Sequence, residues 1–181
     1  DEGKGRMVDL LARDYDMVVR YQGGNNAGHT IVNSFGKNVL NLLPSGVFHK
    51  GVVNVLGAGM VVDIEHLVHE MDTLRAAGLD ISPDTVAVSD RATICMPYHR
   101  DEDVYEEERL AGKQFGSTRK GIAYSYGDKY MKKSLQIGDL YLNDADMRER
   151  LADILDWKNL TLERIYGKPP VSVENMFKWL R

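Results

Sequence analysis

Apolar residues in the first part of the chain recur with two different periods, one typical of helices and one typical of strands. Met7, Val8, Leu10 and Leu11 fall on one face of a predicted helix that follows a glycine-spaced segment. The run "YDMVVRY" (15–21) then predicts a short buried strand. The chain therefore begins with a glycine-spaced segment, a helix and a strand, in that order.

The segments that follow continue this alternation of helix and strand. "NVLNLLPSG" (38–46) alternates imperfectly, and "GVVNVLGAGMVV" (51–62) predicts a strand, a glycine turn and a renewed apolar run. "DIEHLVHEMDTLRAAG" (63–78) predicts a helix that stops at Gly78, and "TVAVSDRATICMPYH" (85–99) predicts another strand and its loop. The helix has an apolar stripe made of Ile64, Leu67, Val68, Met71 and Leu74. Strands that alternate with helices favour an α/β domain with a mainly parallel central sheet.

The second half of the chain is more polar and predicts a helical extension. "RDEDVYEEERL" (100–110) is interpreted as a solvated helix face, since charge runs usually are. Residues 112–133 are rich in glycine and lysine and predict a loop that could hold an anion. Residues 144–180 predict amphipathic helices, interrupted near Gly167 and Pro169.

Composition narrows the class of protein. The chain has 181 residues, of which 43% are hydrophobic, so it can bury a substantial core. The net charge of −4 gives no basic field for nucleic acid or an anionic membrane, and no run approaches the ~20 apolar residues of a membrane span. The single cysteine, Cys95, fits a reducing compartment, so the cytoplasm is the expected location.

The opening segment "DEGKGR" is the first candidate for chemistry. Its glycine-spaced amides, Lys4 and the start of a helix could together hold a phosphate. It is not a Walker A loop, because Gly5 stands where that motif has Ser or Thr. Asp1 and Glu2 would repel a bare phosphate, and a Mg²⁺ ion would reconcile them with it. An ordinary turn before a helix explains the pattern equally well.

The segment "RYQGGNNAGHT" (20–30) is the second candidate. If the preceding strand belongs to a parallel sheet, these residues leave its carboxyl end, where open α/β sheets bind their ligands. Small residues let the backbone approach a ligand, while Asn25, Asn26 and His29 supply hydrogen bonds. The alternative is a glycine-rich surface turn.

Several other reactive residues are better explained as structural. Cys95 is interpreted as a core residue, because nothing near it in sequence would activate a thiol. His66 and His69 are three residues apart on a helix but have no third ligand in view, so they are interpreted as helix surface. The basic residues Lys120, Lys129, Lys132 and Lys133 form either an anion patch or surface charge.

Six motifs together resemble the adenylosuccinate synthetase family, in order and at matching spacing over nearly the whole chain. They are "DEGKGR" with "VDLLA", "RYQGGNNAGHT", "LLPSG", "FGSTRKGIA", "DKY" and "QIGDL". The resemblance implies a P-loop GTPase-like fold and a Mg²⁺-dependent ligase of purine (AMP) biosynthesis. Such an enzyme joins L-aspartate to IMP with GTP hydrolysis and forms adenylosuccinate through 6-phosphoryl-IMP.

The resemblance also implies roles for particular residues. Asp1 would take the N1 proton of IMP, His29 would stabilise the transferring phosphoryl group, and Asp1 and the carbonyl of Gly28 would bind Mg²⁺. Asn26 and Thr118 match IMP contacts, and Lys132 matches the residue that reaches the partner's IMP site across a homodimer. The full set of implied nucleotide- and substrate-binding residues is Glu2, Gly3, Lys4, Gly5, Asn26, Ala27, Gly28, His29, Thr30, Thr118 and Lys132.

The chain departs from the family pattern at four positions and in its extent. Arg119 stands at a usual glycine, Lys120 and Lys132 at arginines, and Tyr124 at a proline. Lysine lacks the bidentate fork of arginine, which weakens the expected phosphate contacts. The family's leading strand, guanine-recognition segment and aspartate-binding loop are not found in these residues. We therefore expect an N-terminal fragment with little or no synthetase activity of its own.

Two other functions stay open from the sequence. One is a non-catalytic nucleotide-binding or dimerisation module of the same fold, and the other is a generic Mg²⁺-dependent GTPase or kinase-like domain. In each case the expected organisation is a nucleotide- and Mg²⁺-binding α/β part at residues 1–90 and an IMP-contacting loop with a helical subdomain at residues 91–181.

Overall fold

The computed structural model describes residues 3–33 and 35–181, so the predicted roles of Asp1 and Glu2 lie outside the described residues. The strands are β1 (Met17–Gly23), β2 (His29–Asn33), β3 (Gly36–Leu40), β4 (Val53–Val62), β5 (Val86–Val88) and β6 (Thr93–Ile94). The helices are α1 (Lys4–Ala12), α2 (Ile64–Ala76), α3 (Pro97–Arg109), α4 (Ile122–Tyr130), α5 (Asp144–Arg164) and α6 (Val173–Leu180). Short 3₁₀ segments lie at Ser45–Phe48 and Ile137–Tyr141.

The central sheet is parallel, as the alternation of strands and helices predicts. Strand β4 lies at its centre, with β1 on one side and β5 and β6 on the other, and all three pairings are parallel. Met17 is opposite Val53 at the start of the β1–β4 pairing, and Gly23 is opposite Met60 at its end. The carboxyl ends of β1, β4 and β6 therefore meet at one edge of the sheet.

The predicted glycine turn within residues 51–62 is wrong, because β4 runs unbroken through both glycines. A Cβ atom at Gly59 would lie 2.2 Å from the carbonyl oxygen of Tyr21, and one at Gly57 would lie 3.2 Å from that of Arg20. The β1–β4 register also shifts between Arg20 and Gln22. These glycines thus let two strands approach closely at an irregularity instead of reversing the chain.

An antiparallel hairpin of β2 and β3 lies outside the central sheet, and the sequence analysis did not predict it. His29 pairs with Leu40, and Asn33 pairs with Gly36. At the turn, the side chain of Asn33 accepts a hydrogen bond from the backbone of Phe35, and Gly36 has a φ of +93°. The hairpin places His29, its first residue, beside α1.

Two predictions for the polar middle of the chain need correction. The charge run is helix α3, but its face is not solvated: Glu102, Asp103 and Glu107 are all buried. Residues 122–130 form helix α4 instead of continuing the loop. The carboxylates of α3 are buried because Glu102 pairs with Lys158 of α5, while Asp103 and Glu107 accept hydrogen bonds from the loop before α4.

The buried apolar residues form two clusters. The first packs the sheet against α2 and includes Leu56, Met60 and Leu74. The second packs α5 and α6 on the residues around β6 and includes Ile94, Leu151 and Phe177. The division at residue 90 stays a prediction, since Ile64 and Ile137 pack against both clusters.

The remaining predicted helices are present with small changes. Helix α2 ends at Ala76, before Gly78 with its φ of +89°, and of its predicted stripe only Val68 is exposed. The residues after 144 form one long helix, α5, and then α6. Across residues 3–33 and 35–181, none of the helices has the length and hydropathy needed to span a membrane.

Candidate nucleotide site

A cavity of about 410 Å³ lies between the start of α1, the open side of β1 and the first residue of β2. Its lining includes Lys4, Gly5 and His29, which the sequence analysis assigned to two separate motifs. Ser45 also lines it, and its hydroxyl donates a hydrogen bond of 3.0 Å to the carbonyl of Gly5. The fold therefore brings the glycine-spaced segment and the glycine-rich loop to one place.

Gly5 is required by the position of His29. A Cβ atom at residue 5 would lie 2.6 Å from Cδ2 of the His29 ring and 2.7 Å from its Cβ. No real Cβ atom tolerates such a contact, so any larger residue would displace the imidazole. The glycine spacing of the first motif thus has a steric reason that its sequence did not reveal.

His29 is half-buried, and its environment favours the neutral imidazole. Burial lowers the pKa of His29, and the nearby charge of Arg20 lowers it further, whereas the carboxylate of Glu70 opposes both. A neutral ring has one N–H donor and one acceptor nitrogen, so at neutral pH His29 can donate a hydrogen bond to an anionic group.

The first turn of α1 lines the same cavity through Lys4 and Gly5. Gly3 adopts a φ of +73° as the residue before the helix, and its carbonyl accepts the first helical hydrogen bond, from Met7 at 3.0 Å. Helix N-termini carry partial positive charge and attract anions. With Lys4 in the lining, this end of α1 is suited to a phosphate group.

The loop between β1 and β2, residues 24–28, has a buried beginning and an exposed end. Gly24 is packed so closely that a Cβ atom there would lie 2.6 Å from Ile122 of α4. Asn25 was expected to face a ligand, but it is buried and its amide donates to Asp63 at 3.2 Å. Asn26, Ala27 and Gly28 are exposed, so they are the loop residues that a ligand can reach.

Arg20 is a structural residue of this site that the sequence analysis missed. Its guanidinium donates to the carbonyls of Gly24 at 2.8 Å and Leu42 at 3.2 Å, and also to that of Asn41. Burial lowers the pKa of Arg20, although the group keeps its charge because arginine titrates far above neutral pH. The sequence feature that could have indicated this role is an arginine within a predicted strand, shortly before Gly23 and Gly24.

Thr118 lies in a different region, on the exposed loop between α3 and α4. Buried acids of α3 hold this loop by its backbone: Glu107 accepts from the amides of Phe115 at 3.0 Å and Ser117 at 3.4 Å, and Asp103 accepts from that of Gly121 at 2.9 Å. The charge run that seemed to be a solvated face therefore positions the loop that carries Thr118.

Arg119, next to Thr118, has a φ of +56°, in the left-handed region that favours glycine. The family pattern has glycine at this position, and the backbone here keeps the conformation that glycine would adopt. The substitution thus adds strain to the loop without changing its shape.

Lys132 lies just past the end of α4 and also has a left-handed backbone, with a φ of +61°. The amide of Lys133 donates to the carbonyl of Asp128 at 2.8 Å, and that of Lys132 donates to Lys129 at 3.1 Å, which is the Schellman pattern of a helix end. Lys129, Lys132 and Arg150 line a basic cavity of about 200 Å³. It is separate from the cavity that contains His29.

Helix α4 is tied to the sheet near the glycine-rich loop. The hydroxyl of Tyr126 accepts from the amide of Gly23 at 2.7 Å and donates to the carbonyl of Gly59 at 2.8 Å. Lys129 donates to the carbonyl of Ala58 at 2.7 Å. Of the four lysines considered as an anion patch, Lys129 therefore has a structural partner.

A buried charged cluster connects α3, α4 and α5. The ammonium of Lys158 lies 2.8 Å from both Glu102 and Asp128, and His99 donates from Nε2 to Asp128 at 2.9 Å. The amide of Met96 donates to Nδ1 of His99, which fixes the neutral tautomer. Burial lowers the pKa of His99 despite Asp128.

The pKa values of the two carboxyl groups shift in opposite directions, because Asp128 accepts a hydrogen bond from His99 in addition to its contact with Lys158. Burial raises the pKa of Glu102 to about 7 against the attraction of Lys158. Burial also acts to raise the pKa of Asp128, but the hydrogen bond from His99 and the Lys158 charge outweigh it and lower that pKa. Asp128 is therefore the more firmly ionised of the two.

This cluster borders a larger cavity of about 570 Å³ that also contains Tyr124, the residue at the family's proline position. Tyr124 lies near Tyr166, and burial raises the pKa of its hydroxyl well above the ordinary value. The tyrosine ring thus occupies space at the side of α4 that faces away from the sheet and the candidate nucleotide loop.

Cys95, His66 and His69 do not line the cavity that contains His29. Cys95 is fully buried after β6, and burial raises the pKa of its thiol to about 12, so it is not an activated nucleophile. His69 is exposed, while His66 is half-buried and bonded to Asn41. Within the described part of the chain, no three His, Cys, Asp or Glu side chains cluster as a metal site.

The parallel sheet with flanking helices defines an α/β protein, and the helix N-terminus and glycine-rich loop lie beside its strand β1. Comparison with known proteins narrows this class. The family model for adenylosuccinate synthetase matches residues 1–181, and the chain belongs to that family.

Relatives and a solved structure agree with this assignment. Adenylosuccinate synthetase 2 of Pseudoalteromonas translucida is 46% identical to this chain, over 99% of the chain and 43% of that protein. The enzyme of Clostridium kluyveri is 43% identical, over 97% of the chain and 41% of that protein. A fully ligated adenylosuccinate synthetase of Plasmodium falciparum matches with a TM-score of 0.83 at 30% identity, over 99% of this chain and 41% of that one. The chain thus spans about two fifths of the length of these relatives.

Proposed function

We propose that the protein containing this chain ligates IMP and L-aspartate to adenylosuccinate in a GTP-dependent reaction of AMP biosynthesis. Membership of the adenylosuccinate synthetase family over residues 1–181 carries the proposal. The meeting of Lys4, Gly5 and His29 in one cavity supports it, because both family motifs that handle phosphate then face the same space. The cytoplasm is the expected location of such an enzyme.

The proposed reaction has two steps. Asp1 takes the N1 proton of IMP, so that the 6-oxygen attacks the γ-phosphoryl group of GTP and GDP leaves with the electron pair of the broken P–O bond. The amine of aspartate then attacks C6 of 6-phosphoryl-IMP, phosphate departs, and adenylosuccinate forms. Phosphoryl transfer depends mainly on positioning and charge stabilisation, so the chain supplies a base and donors around the transferring group.

His29 and the start of α1 are the described residues that take part in the first step. The neutral imidazole, whose pKa is lowered by burial, can donate a hydrogen bond to the developing charge. The amides of Gly3 and Gly5 and the ammonium of Lys4 are suited to the phosphates of GTP. Asn26, Ala27 and Gly28 of the loop and Thr30 of β2 are exposed and open to contact with IMP.

We expect the protein to supply only part of a Mg²⁺ site, as is usual for a nucleotide-bound magnesium. Asp1 and the carbonyl of Gly28 would hold it, with substrate phosphates and water as the other ligands. When bound, Mg²⁺ would neutralise phosphate charge. Glycine is required at residue 28 for packing, because a Cβ atom there would lie 2.8 Å from Nδ2 of Asn41.

Lys132 and Thr118 belong to the IMP side of the proposal. Lys132, with Lys129 and Arg150 beside it, borders a basic cavity away from His29. A phosphate of IMP bound by a partner subunit fits that separation, and we propose a homodimer in which Lys132 reaches the partner's IMP. Lysine at this position provides a point charge in place of a bidentate contact.

The test is adenylosuccinate formation by the native-length protein with IMP, aspartate and Mg²⁺-GTP, followed by absorbance. We expect product from the wild type, and loss of at least ~100-fold in kcat for Asp1→Asn and for His29→Ala. Val68→Ala, on the exposed side of α2, is the matched control and should leave kcat unchanged. The 181-residue chain alone should have little or no activity.

Three outcomes would contradict the proposal in different ways. IMP binding without product at native length would favour a binding or dimerisation module. GTP hydrolysis that does not depend on IMP would favour a generic GTPase. Full activity of Asp1→Asn would remove the base from the mechanism while leaving the ligase reaction in place.

A further inference from the structure

The exposed end of the glycine-rich loop is held by a side chain outside both phosphate motifs. Asn41, just after β3, donates from Nδ2 to the carbonyl of Ala27 at 3.3 Å. The same nitrogen lies 2.8 Å from where a Cβ atom of Gly28 would stand, so the amide also packs directly on the loop backbone. Asn41 therefore contacts the two loop residues that precede His29.

A second neighbour lies on the oxygen side of this amide. Nε2 of His66, on α2, lies 3.1 Å from Oδ1 of Asn41. A carbonyl only accepts hydrogen bonds, so the NH₂ group must face Ala27, and the amide oxygen is left to accept from His66. A flipped amide would place two oxygens together at Ala27. In this orientation His66 donates from Nε2 to the amide oxygen and thereby stabilises it.

The backbone of Asn41 is itself held from two sides. The buried carboxylate of Glu70 accepts from the amides of Asn41 at 3.1 Å, Leu42 at 3.0 Å and Leu43 at 3.0 Å. On the other side, Arg20 donates to the carbonyls of Asn41 and Leu42. Such charge-assisted bonds to a buried backbone are stronger than neutral ones. Residue 41 therefore cannot shift without breaking several of them.

Arg20 extends the same support to the beginning of the loop. It donates to the carbonyl of Gly24 at 2.8 Å while it holds the segment at Asn41. The loop is thus attached at Gly24 by Arg20 and at Ala27 by Asn41, and both attachments lead to one rigid backbone segment at 41–43. Between these two attachments Asn25 is buried, and Asn26 is exposed where a ligand can reach it.

We propose that Asn41 is a positioning residue that holds the glycine-rich loop in its nucleotide-binding conformation, with its amide oriented by His66. The inference rests on the proposed function for the identity of the ligand. It adds a residue that touches neither the proposed substrates nor Mg²⁺ and acts through Ala27 and Gly28. A supporting side chain of this kind commonly affects ligand affinity by 10- to 100-fold.

The test uses the native-length protein with four variants. Asn41→Asp keeps the size of the side chain but cannot donate to Ala27, and His66→Leu removes the donor that orients the amide. His66→Gln restores an N–H donor, and His69→Leu changes an exposed histidine three residues along the same helix. A melting temperature within a few degrees of wild type establishes that each variant is folded.

The first readout is hydrogen exchange of the amides of residues 26–30 without any ligand, which does not depend on the proposed function. We expect exchange about tenfold faster in Asn41→Asp and in His66→Leu, with wild-type rates in His66→Gln and His69→Leu. Unchanged exchange in Asn41→Asp would overturn the positioning role.

The second readout is the Kd for Mg²⁺-GTP and for IMP, measured by calorimetry. We expect Asn41→Asp to raise the Kd for Mg²⁺-GTP, for IMP or for both about tenfold. The rise should be smaller in His66→Leu, and His66→Gln and His69→Leu should keep the wild-type Kd values. Faster exchange with unchanged affinities would overturn the link to nucleotide binding. That result is distinct from failure of the proposed function, which would appear as absence of nucleotide binding in the wild type.

Discussion

Apolar side chains are exposed on one side of the molecule, and charged side chains are buried on the other. On the side of α1 and β1, Met7, Leu10, Leu11 and Tyr21 are exposed, the last at 69%. On the side of α3, α4 and α5, Glu102 and Lys158 are buried, at 2% and 3% exposure. Burial therefore follows from what packs over a residue and from the partners that compensate it, more than from the residue's own polarity.

The physical reason differs between the two sides. In the described residues β1 pairs on one side only, with β4, so its outer edge and the adjoining face of α1 have no layer over them. The charged cluster is buried because each member has an opposite or hydrogen-bonding partner within 3 Å. A buried charge is tolerated when it is paired, and removing its partner is costly.

The largest effect is expected from removing the shared ammonium. Lys158→Met should destabilise the protein by about 3–5 kcal/mol, because it leaves Glu102 and Asp128 buried without a counter-charge. Chemical denaturation measures the free energy of unfolding. Lys133→Met, which removes a lysine stacked on Trp157 at 4.5 Å, is the control and should cost much less. Equal costs would show that the cluster is not a compensated buried site.

The second prediction concerns the pH dependence of the same cluster. The folded-state pKa of Glu102, about 7, exceeds its ordinary value of 4.5. Its contribution to stability is therefore fully present below pH 4.5 and is lost as the pH rises through about 7. Glu102→Gln cannot ionise, so relative to wild type it should gain roughly 1–3 kcal/mol between pH 5 and pH 8.

Denaturation of both proteins across that pH range measures the difference directly. His99 also makes the free energy of unfolding depend on pH, because its lowered pKa makes the folded state less stable in acid. This contribution is present in both wild type and Glu102→Gln, so it cancels in their difference. A constant difference between wild type and Glu102→Gln would mean that Glu102 keeps its ordinary pKa.

A smaller effect is expected at the strained loop. Arg119→Gly should stabilise the protein by up to about 1 kcal/mol, because the left-handed backbone at φ +56° suits glycine. Lys120→Gly is the control, because Lys120 carries a similar charge but does not have a positive φ. This variant should destabilise the protein slightly, since glycine there only increases the freedom of the unfolded chain. Thermal melting of the pair tests the sign. Destabilisation in both variants would indicate that the Arg119 side chain makes a contact that outweighs the strain.

The smallest change in folding stability is expected on the apolar side. Tyr21→Lys should alter the free energy of unfolding by no more than about 0.5 kcal/mol, because the side chain is exposed. The 181-residue chain produced alone should self-associate through this apolar edge, and the lysine should reduce that association. Sedimentation over a range of concentrations measures it. Tyr141→Lys, another exposed tyrosine, is the control, and an equal reduction there would contradict the role of the edge.

Local sequence predicted the elements whose pattern is self-contained. Helix α2 has an apolar stripe and a terminal glycine, and β1 is a short run of β-branched and aromatic residues, so both elements could be recognised from the sequence. The predicted burial of β1 was wrong, since none of its residues is buried. The family motifs also placed Lys4, Gly5 and His29 among the candidate residues before the structure joined them in one cavity.

The β2–β3 hairpin and the glycines of β4 were beyond local reasoning. Closely spaced glycines such as Gly57 and Gly59 suggest a turn when only the sequence is considered. In the structure they allow β4 to contact Tyr21 of β1 closely, although that residue is more than thirty positions away in the chain. Likewise, nothing near Asn41 in sequence indicates that its amide supports Ala27.

The sequence by itself determined the parallel α/β class, the family and the residues proposed to handle phosphate, because periodicity and motif spacing are local properties. Tertiary structure alone decided which charges are buried and which side chains support the glycine-rich loop. Those outcomes depend on pairings such as Lys158 with Glu102 and His66 with Asn41, in which residues far apart or on different elements meet. In the sequence, a charged helix face that will be buried looks the same as one that will be solvated, because only the tertiary structure brings in the partners that compensate its charges.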